Sequence, residues 1–307
     1  MKPIDPSYRY SNFLHPKYWP TWLVVAVLYL ISLLPYNFQQ KLGEWIGKLF
    51  YRLGGTRRKI VEKNIAACFL ELSPEEQRKL VLDSLIANAK GYIECTVGWW
   101  RPMDRFHQSL QVHGLEHLRE AERRGKGILL LGGHFSILDF AGPLISRVLE
   151  FNYMYRPHNN PLFNAVIERS RQRFMNRSFT KKQLHDMIAF IKQGNLVWYG
   201  FDQDFGRRNT VFAPFFGVPA ATLTTPAWIA RRTGATVLMV SQFREGNGVY
   251  SLYFSPIFEN YPTDDEIENA TRINAQLEAE IRRHPDQYLW LHRRFKTRPP
   301  GEPNFYR

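Results

Sequence analysis

The chain has 307 residues, 44% of them hydrophobic and 15% aromatic, enough to bury a sizeable core in one large domain with an appendage or in two modest ones. A formal charge of +13 narrows the partners to anionic ones: nucleic acid, anionic lipid or an acidic protein. The two cysteines, Cys68 and Cys95, have neither metal-ligand spacing nor a dense disulfide pattern, so a zinc module and a secreted scaffold are not indicated, and a reducing cytoplasmic setting fits.

From Trp22 to Leu34 no residue is charged; Tyr18, Trp19 and Pro20 precede the run, and Pro35 and Tyr36 follow it. With its aromatic flanks the segment reaches roughly 18 residues, about 27 Å as a helix, just enough to span a bilayer. No small-x-small site follows, so a cleavable signal is not expected. Lys41, Lys48, Arg52, Arg57, Arg58 and Lys59 lie beyond it, against Lys2, Arg9 and Lys17 before it. That bias leaves the bulk of the chain in the cytoplasm. A buried core helix and a shallow insertion are the other readings. Residues 38–53 set Leu42, Trp45, Ile46, Leu49 and Phe50 among Lys41, Lys48 and Arg52, which predicts an amphipathic helix lying on anionic headgroups; the plainer reading is a surface helix packed on the core. Residues 1–58 are therefore expected to form a membrane anchor with an interfacial helix, and residues 59–307 a globular domain.

Helices are predicted over 59–100, where Ser73-Pro74-Glu75-Glu76 reads as a start: cap, proline, then acids. The run 127–133, apolar and bounded by glycines, predicts a buried strand, and 151–155, 196–201, 236–243 and 249–254 predict further strands. Between and after them, 136–149, 160–176, 181–193, 224–233 and 264–284 read as helices. Alternation of this kind predicts an α/β domain, a largely buried sheet covered by helices.

Gly132-Gly133-His134-Phe135-Ser136-Ile137-Leu138-Asp139 falls where a strand ends and a helix begins. Positions five apart diverge on a continuous helix. With His134 in the turn, however, Asp139 on the first helical turn can fold back to its imidazole. A carboxylate on one ring nitrogen fixes the tautomer and leaves the other nitrogen to take a proton from an alcohol. The plainer reading is a histidine that caps a helix. Ser136 lies in no nucleophile-elbow pattern, and none is needed for direct attack on a thioester.

These residues resemble the late acyltransferases of lipid A biosynthesis, the lauroyl and myristoyl transferases of Gram-negative bacteria. The resemblance starts at His15-Pro16-Lys17-Tyr18-Trp19 and runs through Arg57-Arg58-Lys59-Ile60-Val61, Asn64 and the H-x4-acid motif. It continues through Tyr155-Arg156-Pro157-His158-Asn159-Asn160-Pro161 and Trp198 to Gly206, then Val211 to Gly217 and Gln287 to Lys296. Some members carry Glu where this chain has Asp139.

The resemblance implies a glycerol-3-phosphate acyltransferase-like domain at the cytoplasmic face of the inner membrane, held there by a single-pass or monotopic segment. It implies transfer of a lauroyl- to myristoyl-length chain from acyl-carrier protein to a hydroxyl of a 3-hydroxyacyl chain on a lipid A precursor of the Kdo2-lipid IVA type. His134 would be the general base and Asp139 its carboxylate. The thioester is a co-substrate; no other cofactor, no metal and no nucleic acid is implied. Partners would be acyl-carrier protein, the precursor and anionic membrane lipids. Arg156, at a strand end before a proline, would hold an acceptor phosphate; its alternative is a salt bridge to a neighbouring helix. Asn160 matches the family's Asn-Pro and reads equally as a helix cap. Arg171 is a contact to phosphate or the transfer site, or part of a solvated cationic face with Arg169 and Arg173. Asp202 and Asp204 would line the site wall, although the superfamily's Thr-Arg pair does not follow them. Pro214 to Gly217 and Thr222 to Trp228 suit an acyl-chain wall or ordinary core. His292, Arg293, Arg294, Lys296 and Arg298 would face a phosphorylated lipid or an acidic carrier protein, or form a solvated tail. Rival readings are the same chemistry on a lysophospholipid or glycosylated inositol lipid, and a non-catalytic basic membrane-binding protein.

Overall fold

The computed structural model describes residues 5–307, so Lys2 and the rest of the first four residues of the expected anchor lie outside it. Helix α1 (Trp19–Leu33) carries the apolar run but has only 15 residues, roughly 22 Å against a hydrocarbon core of about 30 Å. Among the described residues no helix is long and apolar enough to cross a membrane, so the expected spanning helix is not found. The break lies at Pro35. Leu34 is extended (φ −64°, ψ 152°), the conformation favoured before a proline, and a separate helix, α2 (Tyr36–Leu53), begins beyond it.

Helix α2 is amphipathic in an unusual sense. Its buried residues are Tyr36, Gln39, Gly43 and Gly47; the two glycines lie against Lys90 and Ile86 of α4 (Pro74–Trp100), and the Gln39 amide donates to the Ile31, Ser32 and Leu34 carbonyls. Phe38, Trp45, Leu49 and Leu53 are exposed instead, as are Lys41, Lys48 and Arg52. Helix α3 (Gly55–Cys68) runs across residue 58 into the rest of the chain. The predicted start of α4 is present: Ser73 Oγ accepts from Glu76 N at 3.3 Å, and Glu76 Oε2 accepts from Ser73 N at 2.7 Å. Both cysteines are free and buried.

Beyond α4 strands and helices alternate through α5 (Asp104–Gln108), β1 (Leu110–His113), α6 (Leu115–Arg123), β2 (Ile128–Gly132), α7 (Leu138–Ile145), β3 (Tyr153–Met154), α8 (Pro161–Arg171), β4 (Ser178–Phe179), α9 (Leu184–Lys192) and β5 (Leu196–Gly200). An antiparallel hairpin, β6 (Thr210–Phe215) with β7 (Val218–Leu223), precedes α10 (Thr225–Thr233), β8 (Thr236–Gly246), β9 (Val249–Phe254) and α11 (Glu266–Arg283). Seven strands form one sheet in the order β1-β9-β8-β2-β5-β3-β4, parallel except for the β8–β9 pair.

Strand β2 lies in the middle and every residue of it is buried, because helices cover both faces, as parallel sheets require. Side chains alternate along a strand: Leu129 and Leu131 enter the core shared with α11 and the hairpin, while Ile128 and Leu130 enter the one shared with α6 and α7. All five predicted strands are present, although 151–155 shrinks to Tyr153–Met154. Strands β1 and β4 and the hairpin were not predicted. Strand β1 is a half-exposed edge of four residues, too short to stand out as alternation. Phe215 and Phe216 are buried in the core, so they are packing rather than a free acyl wall.

Candidate active site

Strand β2 ends at Gly132, where a Cβ would fall 2.2 Å from the Trp198 indole nitrogen; no larger residue fits. The chain then turns through Gly133 to His134, whose side chain is 24% exposed. On the far side α4 presses against this turn at Gly91, where a Cβ would fall 1.9 Å from the Ser136 carbonyl oxygen.

The carboxylate that meets His134 is Asp202, not Asp139. His134 Nδ1 lies 2.5 Å from Asp202 Oδ1, and the His134 backbone N–H donates to Asp202 Oδ2 at 2.9 Å. Parallel pairing accounts for this. Gly132 and Gly200 are partners across β2 and β5, so residues two positions beyond each, His134 and Asp202, emerge side by side at the carboxyl ends of neighbouring strands. Tyr288 donates its hydroxyl to Asp202 Oδ2 at 3.0 Å. The segment around it pairs with the histidine turn: Leu289 N–H donates to the His134 carbonyl at 2.9 Å, Ser136 N–H to the Gln287 carbonyl at 2.7 Å, and Phe135 bridges Tyr288.

Burial is the largest influence on the His134 imidazole and pushes its pKa down. The Asp202 charge and hydrogen bond, with a smaller pull from Asp139, outweigh it and leave the pKa above the usual 6.5. Burial pushes Asp202 up, but the His134 charge and the donors around it hold it well below the ordinary carboxylate range. A histidine so held keeps its proton on Nδ1 and offers Nε2 as a base toward an alcohol.

Asp139, second residue of α7, turns instead to Arg171, pairing with its Nη2; Arg171 Nη1 bonds Glu168 Oε1 at 3.0 Å. Glu168 is buried and accepts from the Tyr153 hydroxyl at 3.2 Å. Desolvation pushes its carboxyl up against the pull of Arg171. The physical reason for the changed partner is that the Arg171 guanidinium, 19% exposed, needs a counter-charge on that side, while the His134 nitrogen is already occupied. Asp139 and Arg171 line a cavity of about 350 Å³ together with the exposed Arg156.

Asn160 caps α8, accepting from Phe163 N–H at 3.1 Å, and its amide donates to Thr21 Oγ1 at 2.8 Å; both ends of the side chain are engaged within the protein. Asp204 makes no bond to His134 and accepts from Gly206 N–H, Thr297 N–H and Thr297 Oγ1. His292, expected at an interface, accepts from the Asp204 N–H at 3.0 Å, with burial holding its pKa down to about 4. Arg294 is 1% exposed and donates to the Ala221 carbonyl and Thr222. Of that basic cluster Arg293 and Lys296 are exposed. The residues that sequence reasoning missed are Tyr288 and Glu168. The first carries no local signal; the second shows one, an acid three residues before an arginine on the buried side of a helix.

A sequence model described as bacterial lipid A biosynthesis acyltransferase matches residues 8–297. The lipid A biosynthesis lauroyltransferase of Escherichia coli (strain K12) is 38% identical over 298 residues, 96% of this chain and 97% of that protein. The palmitoleoyltransferase of the same organism is 36% identical over 304 residues, 98% and 99%. Among solved structures, the 1-acyl-sn-glycerophosphate (LPA) acyltransferase PlsC from Thermotoga maritima is similar at 16% identity and a TM-score of 0.35, covering 80% of this chain and 98% of its own, too loose a likeness to bear on the site. With relatives of one activity matched end to end, the protein is an O-acyltransferase. The chain belongs to the bacterial lipid A biosynthesis acyltransferase family.

Proposed function

We propose that the protein moves a fatty acyl chain, lauroyl to myristoyl in length, from an acyl-carrier-protein thioester to a hydroxyl of a 3-hydroxyacyl chain on a lipid A precursor of the Kdo2-lipid IVA type. The observation that carries the mechanism is the His134 imidazole, bonded through Nδ1 to Asp202 at the end of the central strand. His134 Nε2 takes the proton of the acceptor hydroxyl as that oxygen bonds to the thioester carbonyl carbon. The tetrahedral intermediate collapses with cleavage of the C–S bond, and the imidazolium returns its proton to the departing thiolate. Asp202 orients the ring and offsets its transient charge. The His134 N–H is spent on Asp202, so the oxyanion is held by other donors, Gly133 N–H and an arginine being the proposed ones. Arg156 and Arg171 take anionic groups of the acceptor, Arg171 being set in place by Asp139 and Glu168.

The reaction is proposed to take place at the cytoplasmic face of the inner membrane. Leu23 and Leu30 of α1 and Trp45 and Leu53 of α2 are exposed beside Lys41, Lys48 and Arg52, a combination suited to monotopic insertion among anionic lipids. Mass spectrometry of a tetra-acylated precursor, incubated with purified protein and a panel of acyl-carrier-protein donors, tests the reading. A gain of one acyl chain, absent with His134→Ala, is the expected outcome. No gain with any donor, while a lysophospholipid in the same assay is acylated, overturns the acceptor.

A further inference from the structure

Helix α8 separates two cavities that share no lining residue. On one side Arg171 reaches Asp139. On the other is a cleft of about 520 Å³ between α1, the end of α4 and α8, walled by Trp22, Val25, Tyr29, Trp99, Trp100 and Val166. That volume lies within the roughly 300–1,000 Å³ of small-molecule sites. Ala26 and Tyr29 also belong to the exposed side of α1, so the cleft opens beside Leu23, Val27 and Leu30, which are exposed apolar residues of the same helix. Aromatic rings brace its walls at right angles: Tyr10 on Trp22, Tyr29 on Trp100 and Trp99 on Trp100, with centroids 5.3 to 5.6 Å apart.

The rim is cationic. Arg169, on α8, and Arg173, just past its end, both line the cleft. Neither meets a carboxylate among the described residues: Arg169 lies over the Tyr10 ring and bonds the Tyr8 carbonyl, and Arg173 bonds the carbonyls of Trp99 and Arg101. Gln172 lines the same cleft with a buried Oε1 that has no hydrogen-bond partner, an acceptor that costs free energy unless something donates to it. An apolar slot, two uncompensated guanidiniums and an idle acceptor match one chemistry: an acyl chain attached to a phosphate that carries a hydroxylated headgroup.

We infer that this cleft binds one anionic glycerophospholipid drawn from the bilayer, with an acyl chain in the slot, its phosphate on Arg169 and Arg173 and a headgroup hydroxyl on Gln172. It shares no lining residue with the cavity of Arg156 and Arg171, where the proposed function puts the acceptor's anionic groups, so the lipid is a resident one and not the acceptor.

Purified full-length protein in neutral detergent, mixed with equimolar phosphatidylglycerol and phosphatidylcholine, is the test, read by native mass spectrometry. One lipid per chain is expected, with phosphatidylglycerol favoured about fivefold or more. The Arg169→Gln/Arg173→Gln pair brings that preference close to unity, and Ala26→Trp lowers occupancy by both lipids. Equal binding of the two lipids by the unaltered protein, or a full lipid load in Ala26→Trp, overturns the inference. Should Ala26→Trp melt early, the double arginine variant, whose substitutions lie on the rim, decides alone. Stoichiometric displacement of phosphatidylglycerol by the lipid A precursor also overturns it, because the cleft then belongs to the substrate.

Discussion

Two carboxylates were available to orient His134, and they serve different bases. Asp202 holds the imidazole through two contacts, whereas Asp139 holds Arg171. Activity that needs neutral His134 falls as pH drops through its folded pKa, which lies above 6.5, so the acid limb of kcat/KM is expected above that value. Asp202→Asn removes the larger upward pull. It should shift the limb to lower pH and cost roughly 10²- to 10⁴-fold in kcat through loss of the oriented tautomer. Asp139→Asn should move the limb less and act mainly on KM through Arg171. A larger limb shift in Asp139→Asn than in Asp202→Asn would reverse the two roles. Tyr288→Phe deletes a single hydrogen bond to Asp202, worth about 0.5–1.5 kcal/mol, and a steady-state assay should register a few-fold loss. His134 was legible in the sequence because a histidine after an apolar run and two glycines has few uses. Its partner was not, because spacing along the chain favours a neighbour five residues away over one brought in by sheet pairing 68 residues on.

Among the elements, the helix caps and the buried central strand were readable from local chemistry alone. Ser73 and Glu76 form the reciprocal cap their types announce, and Ser73→Ala should lower stability by about 1 kcal/mol in a denaturant titration. Helix α2 was read correctly as amphipathic, but the side it buries could not be read from polarity, because glycines make the contact. A Cβ on Gly47 would lie 2.5 Å from the Ile86 Cα. Gly47→Leu therefore forces α2 off α4, and a loss of roughly 1–3 kcal/mol should appear as a lowered Tm. The expected spanning length counted the flanking aromatics, Tyr36 beyond Pro35 among them, while the helix ends at Leu33 with Leu34 extended.

Over the whole molecule, charge and apolar exposure point the same way. With a net +13 and exposed Trp45, Leu49 and Leu53 on a helix that also shows Lys48 and Arg52, association with anionic vesicles should have two separable parts. Added salt should weaken the electrostatic one by screening, and Trp45→Ser with Leu53→Ser should weaken the salt-resistant remainder; co-sedimentation measures both. Sheet order could not be read from the chain, since nothing local says that β5 lies beside β2 and β9 beside β1.

The histidine turn is held from outside by residues 287–289, more than 150 positions further along the polypeptide. Chains are made in one direction, and the sheet strands precede that segment. While the protein is being synthesised, its strands and helices can therefore collapse before the histidine turn is braced from outside. The outer brace forms late, when the segment carrying Tyr288 leaves the ribosome and docks on the turn, and a chain stalled before that point is expected to be folded in large part, with His134 held by Asp202 alone.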